Sequence, residues 1–229
     1  MEKIVAHRGI FDNEKIVENT KESFSLAIKK QVPFELDVQL TKDNKLVVFH
    51  DATLKRLAKK KINIQESNYD DIKDIKLLNT DSTIPLFKDI LELNNDKVSI
   101  VIEIKKTKRI KETVDQLINE LGPYLNYVLE SFDPRIVRYV HKNYSWITCG
   151  LLVENKYKRK YQKKLFTTSI PIKYCKPDFI AISKYLLENK KYMKKINKIP
   201  KYIWTITNKD DVNLKNDYVY ICNNLMDKK

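Results

Sequence analysis

Apolar residues recur along the chain in short runs of the length and composition that buried strands require. Eight principal runs predict strands, and Leu46–His50 predicts a further extended piece. The eight runs are Lys3–Ala6, Phe34–Leu40, Val98–Ile104, Tyr127–Phe132, Ile147–Val153, Phe179–Ile182, Tyr202–Ile206 and Tyr218–Cys222.

Helical patterns fill most of the gaps between these runs. Asn19–Glu22 resembles a capping box ahead of an amphipathic segment. Pro85–Leu93 is typical of a short helix opened by proline, and Ile110–Leu121 stops at a Gly-Pro pair. Pro134–Lys142 follows the fourth principal strand. Strands that alternate with helices in this way predict a single α/β domain, residues 1–229, built as a parallel barrel.

One segment departs from plain alternation. The stretch between His50 and Val98 is too long for an ordinary loop, and its apolar residues are scattered. We expect residues 51–96 to form a small insertion that caps the mouth of the barrel.

Charged side chains stand in or directly after four of the extended runs. Glu35 shares a strand face with Asp37, and Glu103 shares one with Lys105, because alternate residues of a strand point the same way. Of the three histidines in the chain, His7 follows the first run and another histidine, at position 50, closes the Leu46–His50 piece. Charges in apolar strands are costly unless they are paired or bind a metal. The pattern therefore predicts a functional site at the carboxyl ends of the strands, where parallel barrels carry their active sites.

The positive net charge of the chain does not by itself identify a binding partner. The formal net charge is +14, and Lys156–Lys164 is the densest basic stretch. Only six of the basic residues are arginines, whereas base-edge recognition favours arginine, so nucleic acid is not the expected partner. We interpret the lysines as a solvated surface, with weak contact to an anionic membrane surface as the alternative.

The three cysteines are widely spread and lack metal-ligand spacing, so they indicate buried thiols in a reducing compartment. No secretory signal and no membrane-spanning apolar run is visible in the sequence. We expect a cytoplasmic location.

Five motifs in this order resemble the glycerophosphodiester phosphodiesterase family. They are His7-Arg8-Gly9, Glu18-Asn19-Thr20, Glu35-Leu36-Asp37-Val38, Val48-Phe49-His50-Asp51 and Ile102-Glu103-Ile104-Lys105. Lesser similarities lie at Ile84-Pro85-Leu86, Ser131-Phe132 and Trp204-Thr205. The resemblance spans nearly the whole chain and implies a TIM-like (β/α)8 barrel, with an insertion at its mouth, that hydrolyses glycerophosphodiesters with the help of a metal.

The resemblance also implies a role for each matching residue. Glu35, Asp37 and Glu103 match the metal ligands, and His7 with His50 matches the acid/base pair. Arg8 and Lys105 match the phosphate contacts. Phe132 and Trp204 lie near later strand ends, where they form either an apolar wall for the substrate carbons or part of the core.

The residue types suit this chemistry. Three carboxylates without a neighbouring cysteine favour one hard divalent cation, Mg²⁺ or Ca²⁺, over zinc. Two imidazoles suit proton removal from the attacking oxygen and proton donation to the leaving alkoxide. The sequence does not assign base and acid between the two histidines. It also leaves open whether the nucleophile is water or an adjacent hydroxyl of the substrate, which would form a cyclic phosphate first.

We therefore expect a hydrolase that releases an alcohol and glycerol 3-phosphate from deacylated phospholipids. One alternative is a related lyase that acts on intact phospholipid headgroups and leaves a cyclic phosphate. The other is a barrel without catalysis that binds an anionic lipid surface or nucleic acid. Departures from the family pattern at Ile10–Lys15, at Thr207 and at Asn223-Asn224 bear on substrate fit and leave the metal and imidazole positions intact.

Overall fold

Eight parallel strands close into a ring in the computed structural model, which describes residues 3–154 and 168–223. The strands in these ranges are β1 (Ile4–Ala6), β2 (Phe34–Leu40), β3 (Leu46–Val48), β4 (Ile100–Ile104), β5 (Tyr127–Ser131), β6 (Cys149–Val153), β7 (Ile180–Ser183), β8 (Lys201–Ile206) and β9 (Tyr218–Cys222). Around the ring the order is β1, β2, β4, β5, β6, β7, β8 and β9, and β9 pairs with β1 to close it. Strand β3 lies outside the ring and pairs antiparallel with the second half of β2. The predicted TIM-like barrel is confirmed.

Helices separate most of the strands. They are α1 (Lys21–Lys29), α2 (Lys55–Ala58), α3 (Phe87–Asn94), α4 (Ile110–Leu121), α5 (Pro134–Asn143), α6 (Ile170–Cys175) and α7 (Lys190–Lys195). The predicted helices therefore form within two residues of their expected ends. The capping box differs in detail: it joins Thr20 to Ser23, whereas Glu22 accepts a hydrogen bond from the Ser82 hydroxyl. A serine at the third helical position thus does the work expected of the glutamate.

Two apolar layers hold the barrel together. The larger fills the space between the strands and the outer helices, and a smaller one fills the inside of the ring. Phe179 reaches so close to Gly150 that an added Cβ would lie 2.3 Å from its ring. Glycine at this position therefore lets an aromatic ring close the lower part of the barrel, leaving the upper part for the site.

The segment after β3 has an apolar cluster of its own. Leu54, Leu57 and Ile64 pack with residues further along the segment and with Val47 and Phe49. Helix α3, at the end of the segment, packs against α1 and α4 in the outer layer.

The basic stretch Lys156–Lys164 lies outside the described residues. Across the two described ranges, no helix has the length and apolar character needed to cross a bilayer. The three cysteines are buried and free, as the sequence predicted.

Candidate active site

The predicted polar residues converge at one end of the barrel because parallel strands all present their carboxyl ends there. His7 follows β1, and His50 follows β3. Register pairs Asp37 of β2 with Glu103 of β4, so these two side chains stand on neighbouring strands at the same height. Five residues far apart in sequence, with Glu35 as the fifth, thereby border one region of the barrel.

Glu35, Asp37 and Glu103 form a compact carboxylate cluster. One oxygen from each lies within 4.8 Å of the others, and all three side chains are buried. Burial and repulsion from the neighbouring carboxylates raise the pKa of Glu35 well above its usual value. Burial likewise raises the pKa of Glu103 to about 7. Burial opposes ionisation of Asp37 too, but the nearby cations hold its pKa below its usual value.

This cluster fits a hard divalent cation. Oxygen atoms alone make up the donor set, as Mg²⁺ and Ca²⁺ prefer. Like charges crowded in a buried place are costly unless a cation offsets them. The raised pKa values of Glu35 and Glu103 reflect this burial and crowding.

Lys105 and Arg8 supply positive charge beside the cluster. The Lys105 ammonium lies 2.7 Å from a Glu103 oxygen and 3.1 Å from an Asp37 oxygen. Arg8 donates to Glu18 at 2.6 Å, and its Nε lies 3.5 Å from Asp37. That buried Nε makes no hydrogen bond to any residue the structure describes and faces the Asp37 carboxylate, while the Arg8 side chain also lines the cavity.

The two imidazoles have different partners. His7 Nδ1 lies 2.6 Å from the Asn223 amide oxygen, which can only accept, so His7 Nε2 is left without the proton. His50 Nδ1 lies 2.6 Å from the Asp51 carboxylate. Burial lowers the pKa of His50 and lowers that of His7 to about 3. A carboxylate partner favours an imidazolium more than an amide does, so the two rings are electrostatically distinct.

A guanidinium from the segment after β3 joins the two sides of the site. Arg56 donates to both oxygens of Glu18, at 2.7 and 2.8 Å, and its Nε donates to Asp51 at 2.8 Å. Glu18 also accepts from Arg8, so it connects the residues that follow β1 with the loop that carries His50. Through these contacts Glu18 braces the loop that follows His7, and Asp51 supports His50.

A cavity of about 260 Å³ opens beside the cluster. His7, Glu35 and Glu103 border its polar side. Phe132 and Trp204 form part of its apolar side and meet edge to face, with ring centroids 5.4 Å apart. The cavity is thus charged on one wall and apolar on the other, which suits a small organic phosphate.

Most of the predicted site residues line the cavity, but two do not. Asp37 and Lys105 stand behind its wall, where they pair with each other, and the remaining predicted residues line it. His141 lies elsewhere, on α5, where its Nε2 is 3.0 Å from Asp178.

Sequence reasoning missed several residues of the site, among them Glu130, Asn223 and Arg56. Glu130, on β5, lines the cavity, and the signal was present: it is a carboxylate inside an apolar strand run. Asn223 was noted only as a departure from the family pattern, whereas it contacts His7. Arg56 lies in a lysine-rich stretch, and nothing in the sequence separates it from its neighbours.

Comparison with known proteins gives a consistent family. The model of the glycerophosphoryl diester phosphodiesterase family matches residues 7–222. A glycerophosphodiester phosphodiesterase of Caldanaerobacter subterraneus is 28% identical over 221 residues, which covers 91% of this chain and 87% of the relative.

Solved structures show the same fold. The glycerophosphodiester phosphodiesterase of Thermotoga maritima superposes with a TM-score of 0.75 and 24% identity, covering 98% of this chain and 95% of the other. A phosphodiesterase of Oleispira antarctica, solved with its product sn-glycerol-3-phosphate, gives a TM-score of 0.79 at 19% identity and covers 97% of this chain and 93% of the other.

Proposed function

The chain belongs to the glycerophosphoryl diester phosphodiesterase family of hydrolases, and we propose that it cleaves glycerophosphodiesters to an alcohol and glycerol 3-phosphate in a metal-dependent reaction. One observation carries the proposal: two carboxylates of the buried cluster, two imidazoles and the Arg8 guanidinium line a single cavity, with Asp37 and Lys105 directly behind its wall. A barrel that served only to bind would have no need for two imidazoles at the cavity, one held by an amide and the other by a carboxylate.

Glu35, Asp37 and Glu103 would hold one divalent cation, Mg²⁺ or Ca²⁺. When bound, it would polarise the phosphoryl group and neutralise charge on its oxygens. Lys105 keeps Asp37 ionised and ready as a ligand, because its ammonium lies 3.1 Å away. Binding would also require Glu35 and Glu103 to release any protons that their raised pKa values retain.

Arg8 is the residue that would grip the diester. Its guanidinium is held by Glu18 at one nitrogen, and the side chain lines the cavity. A planar donor fixed in this way orients a phosphate oxygen with little loss of side-chain freedom. The charge that develops during cleavage is thereby met by donors that need not reorganise.

His7 would accept the proton of the attacking oxygen, and His50 would donate one to the leaving alkoxide. The assignment follows from their partners: the Asn223 amide leaves the Nε2 of His7 as a lone pair, whereas Asp51 stabilises a protonated His50. Either water or a neighbouring hydroxyl of the substrate can present that oxygen to His7.

The segment comprising residues 51–96 is proposed as the cap of the barrel mouth. Arg56, which it contributes, contacts Glu18 and Asp51 beside the cavity. The cytoplasm stays the expected location, supported by three free, buried thiols. The small-molecule diester is the proposed partner, and weak contact with an anionic membrane surface stays an expectation.

The test is an assay over a panel of glycerophosphodiesters, with products identified by phosphorus NMR. Glycerol 3-phosphate and a free alcohol should form only when Mg²⁺ or Ca²⁺ is present. A cyclic phosphate as the final product would indicate the lyase instead. Absence of any turnover, with metal bound, would contradict the proposed function.

A further inference from the structure

Glu130 is a buried acid of the cavity that the proposed reaction leaves without a task. It pairs in register with Glu103 across β4 and β5, which puts both side chains on the inside of the barrel. The residue is 2% exposed and lines the cavity. Its Oε2 is fully buried and accepts no hydrogen bond from any residue in the described ranges.

A buried carboxyl group without a hydrogen-bond partner lowers the stability of the fold. A buried polar atom without a partner sacrifices its interactions with water and gains nothing in return. Burial, together with the nearby Glu103 and Asp37 carboxylates, raises the pKa of Glu130 well above its usual value. Nothing in the barrel requires a glutamate there for packing, so a ligand that donates hydrogen bonds is the natural source of compensation.

Three kinds of ligand could satisfy Glu130: the metal, an ammonium headgroup or a hydroxyl group. The compact metal cluster consists of Glu35, Asp37 and Glu103 and does not include it. An ammonium group would enter a cavity that already has Lys105 and Arg8 beside it and that would also hold a divalent cation, so it would meet strong repulsion. Neutral hydroxyl donors avoid that repulsion.

The neighbouring surface also suits a polyol with a carbon backbone. Phe132 directly follows β5, two residues beyond Glu130, and both side chains line the cavity. Trp204 meets Phe132 edge to face on the apolar wall. A carboxyl group beneath an aromatic wall can accept from hydroxyls while the rings cover the carbons.

We propose that Glu130 is the specificity-determining residue for glycerol, that its carboxyl group binds the terminal hydroxyl of the glycerol moiety, and that the glycerol end of the diester therefore enters the cavity. This inference rests on the proposed function. It implies that the leaving alcohol projects from the mouth and is selected only weakly, whereas removal of the terminal glycerol hydroxyl is poorly tolerated.

The experiment compares two substrates that differ by one oxygen: glycerophosphoethanolamine, and an analogue in which a 2-hydroxypropyl group replaces glycerol. The analogue keeps the hydroxyl next to the phosphate, so it can react by either route. A buried acceptor that is left without its partner weakens binding of the analogue, so wild type should favour the glycerol substrate in kcat/KM by about 10- to 100-fold.

Glu130→Leu should remove that preference, because it should lower kcat/KM only for the glycerol substrate, chiefly by raising KM. Glu130→Gln, which keeps the shape and one acceptor, should give an intermediate ratio. Glu120→Gln is the matched control, because Glu120 also has a buried, unpartnered oxygen but lies on α4, away from the cavity. Calorimetry should show weaker glycerol 3-phosphate binding in Glu130→Leu with Mg²⁺ affinity unchanged.

Each other outcome overturns the assignment. Equal loss on both substrates together with weaker Mg²⁺ binding would make Glu130 part of the metal site. If Glu130→Leu lowered kcat/KM for diesters with an ammonium headgroup but not for the methyl diester of glycerol 3-phosphate, Glu130 would bind the ammonium group instead. An unchanged substrate ratio in Glu130→Leu would remove it from recognition. Failure of the proposed function is a separate result, since wild type itself would then hydrolyse neither substrate.

Discussion

Glu103→Gln should make the metal-free protein less sensitive to rising pH. Glu103 is buried next to Asp37, and burial moves its pKa from 4.5 to about 7. A carboxyl group whose pKa is raised on folding contributes its full stability below the unfolded value and loses it as pH rises through the folded value. Glutamine, which does not ionise, cannot lose stability in this way.

The size of this stability change follows from the pKa of Glu103, which is 4.5 in the unfolded chain and about 7 in the folded protein. At about 1.4 kcal/mol for each pH unit between them, ionising this one group in the folded protein costs about 3 kcal/mol. Between about pH 5 and about pH 8, the free energy of unfolding of wild type should therefore fall by about 3 kcal/mol relative to the variant.

Urea unfolding in EDTA at the two pH values measures this difference directly. Burial lowers the pKa of His7 to about 3, which also makes stability depend on pH, but His7 is present in both proteins and cancels in the comparison. With saturating Mg²⁺ the loss in wild type should disappear, since metal binding takes the ionised form. Parallel pH dependence in wild type and variant without metal would refute the electrostatic account of the cluster.

Four further changes probe the groups around the cluster. His7→Ala and His50→Ala should each lower kcat by at least about a hundredfold with metal affinity retained. In the double variant the loss of kcat should be far smaller than the product of the two single losses. His141→Ala is the control and should leave kcat nearly unchanged. A wild-type rate in either of the first two variants, in a steady-state assay, would remove that histidine from the reaction. Arg56→Lys should lower kcat by about tenfold or more with little change in KM, because an ammonium lacks the planar set of three nitrogens that holds both oxygens of Glu18 and the carboxylate of Asp51. An unchanged kcat would make the bridge purely structural. Asn223→Asp should raise the pKa of His7, so the acid limb of the kcat/KM profile should move to higher pH by about one unit or more; an unmoved limb would mean that this contact does not tune the imidazole.

The barrel and most of its site could be predicted from the sequence because both depend on local patterns. Apolar runs fix the strands, and parallel pairing brings their carboxyl ends together, so His7, Glu35 and Glu103 had to converge. Glu130 follows the same rule, since it interrupts the apolar run of β5, and it could have been found by applying that rule once more.

Other features depend on contacts that no local pattern specifies. Arg56 reaches Glu18 across 38 positions of the chain, and Asn223 reaches His7 across 216. Neither residue type is unusual where it stands, so only the folded chain shows that each supports a reacting group. The capping box shifted for a related reason: the Ser23 hydroxyl lies within reach of the Thr20 backbone, and Glu22 finds a partner in Ser82.

The central claim is that the carboxylate cluster holds a cation required for hydrolysis of glycerophosphodiesters. Glu35→Ala and Asp37→Ala should each weaken Mg²⁺ binding. In the metal-free protein Glu35→Ala should leave thermal stability little changed or raised, because one of three crowded carboxyl groups is gone, whereas Asp37→Ala should lower it, because the ion pair with Lys105 is lost. Strong loss of stability in Glu35→Ala would point to a structural ion-pair network instead.

The most direct measurement is the hydrolysis rate of glycerophosphoethanolamine after exhaustive treatment with EDTA and again after Mg²⁺ or Ca²⁺ is restored. Three carboxylates without a cation repel both one another and the diester, so activity should vanish with the chelator and return with the metal. Full activity in the chelated, metal-free protein would contradict the account.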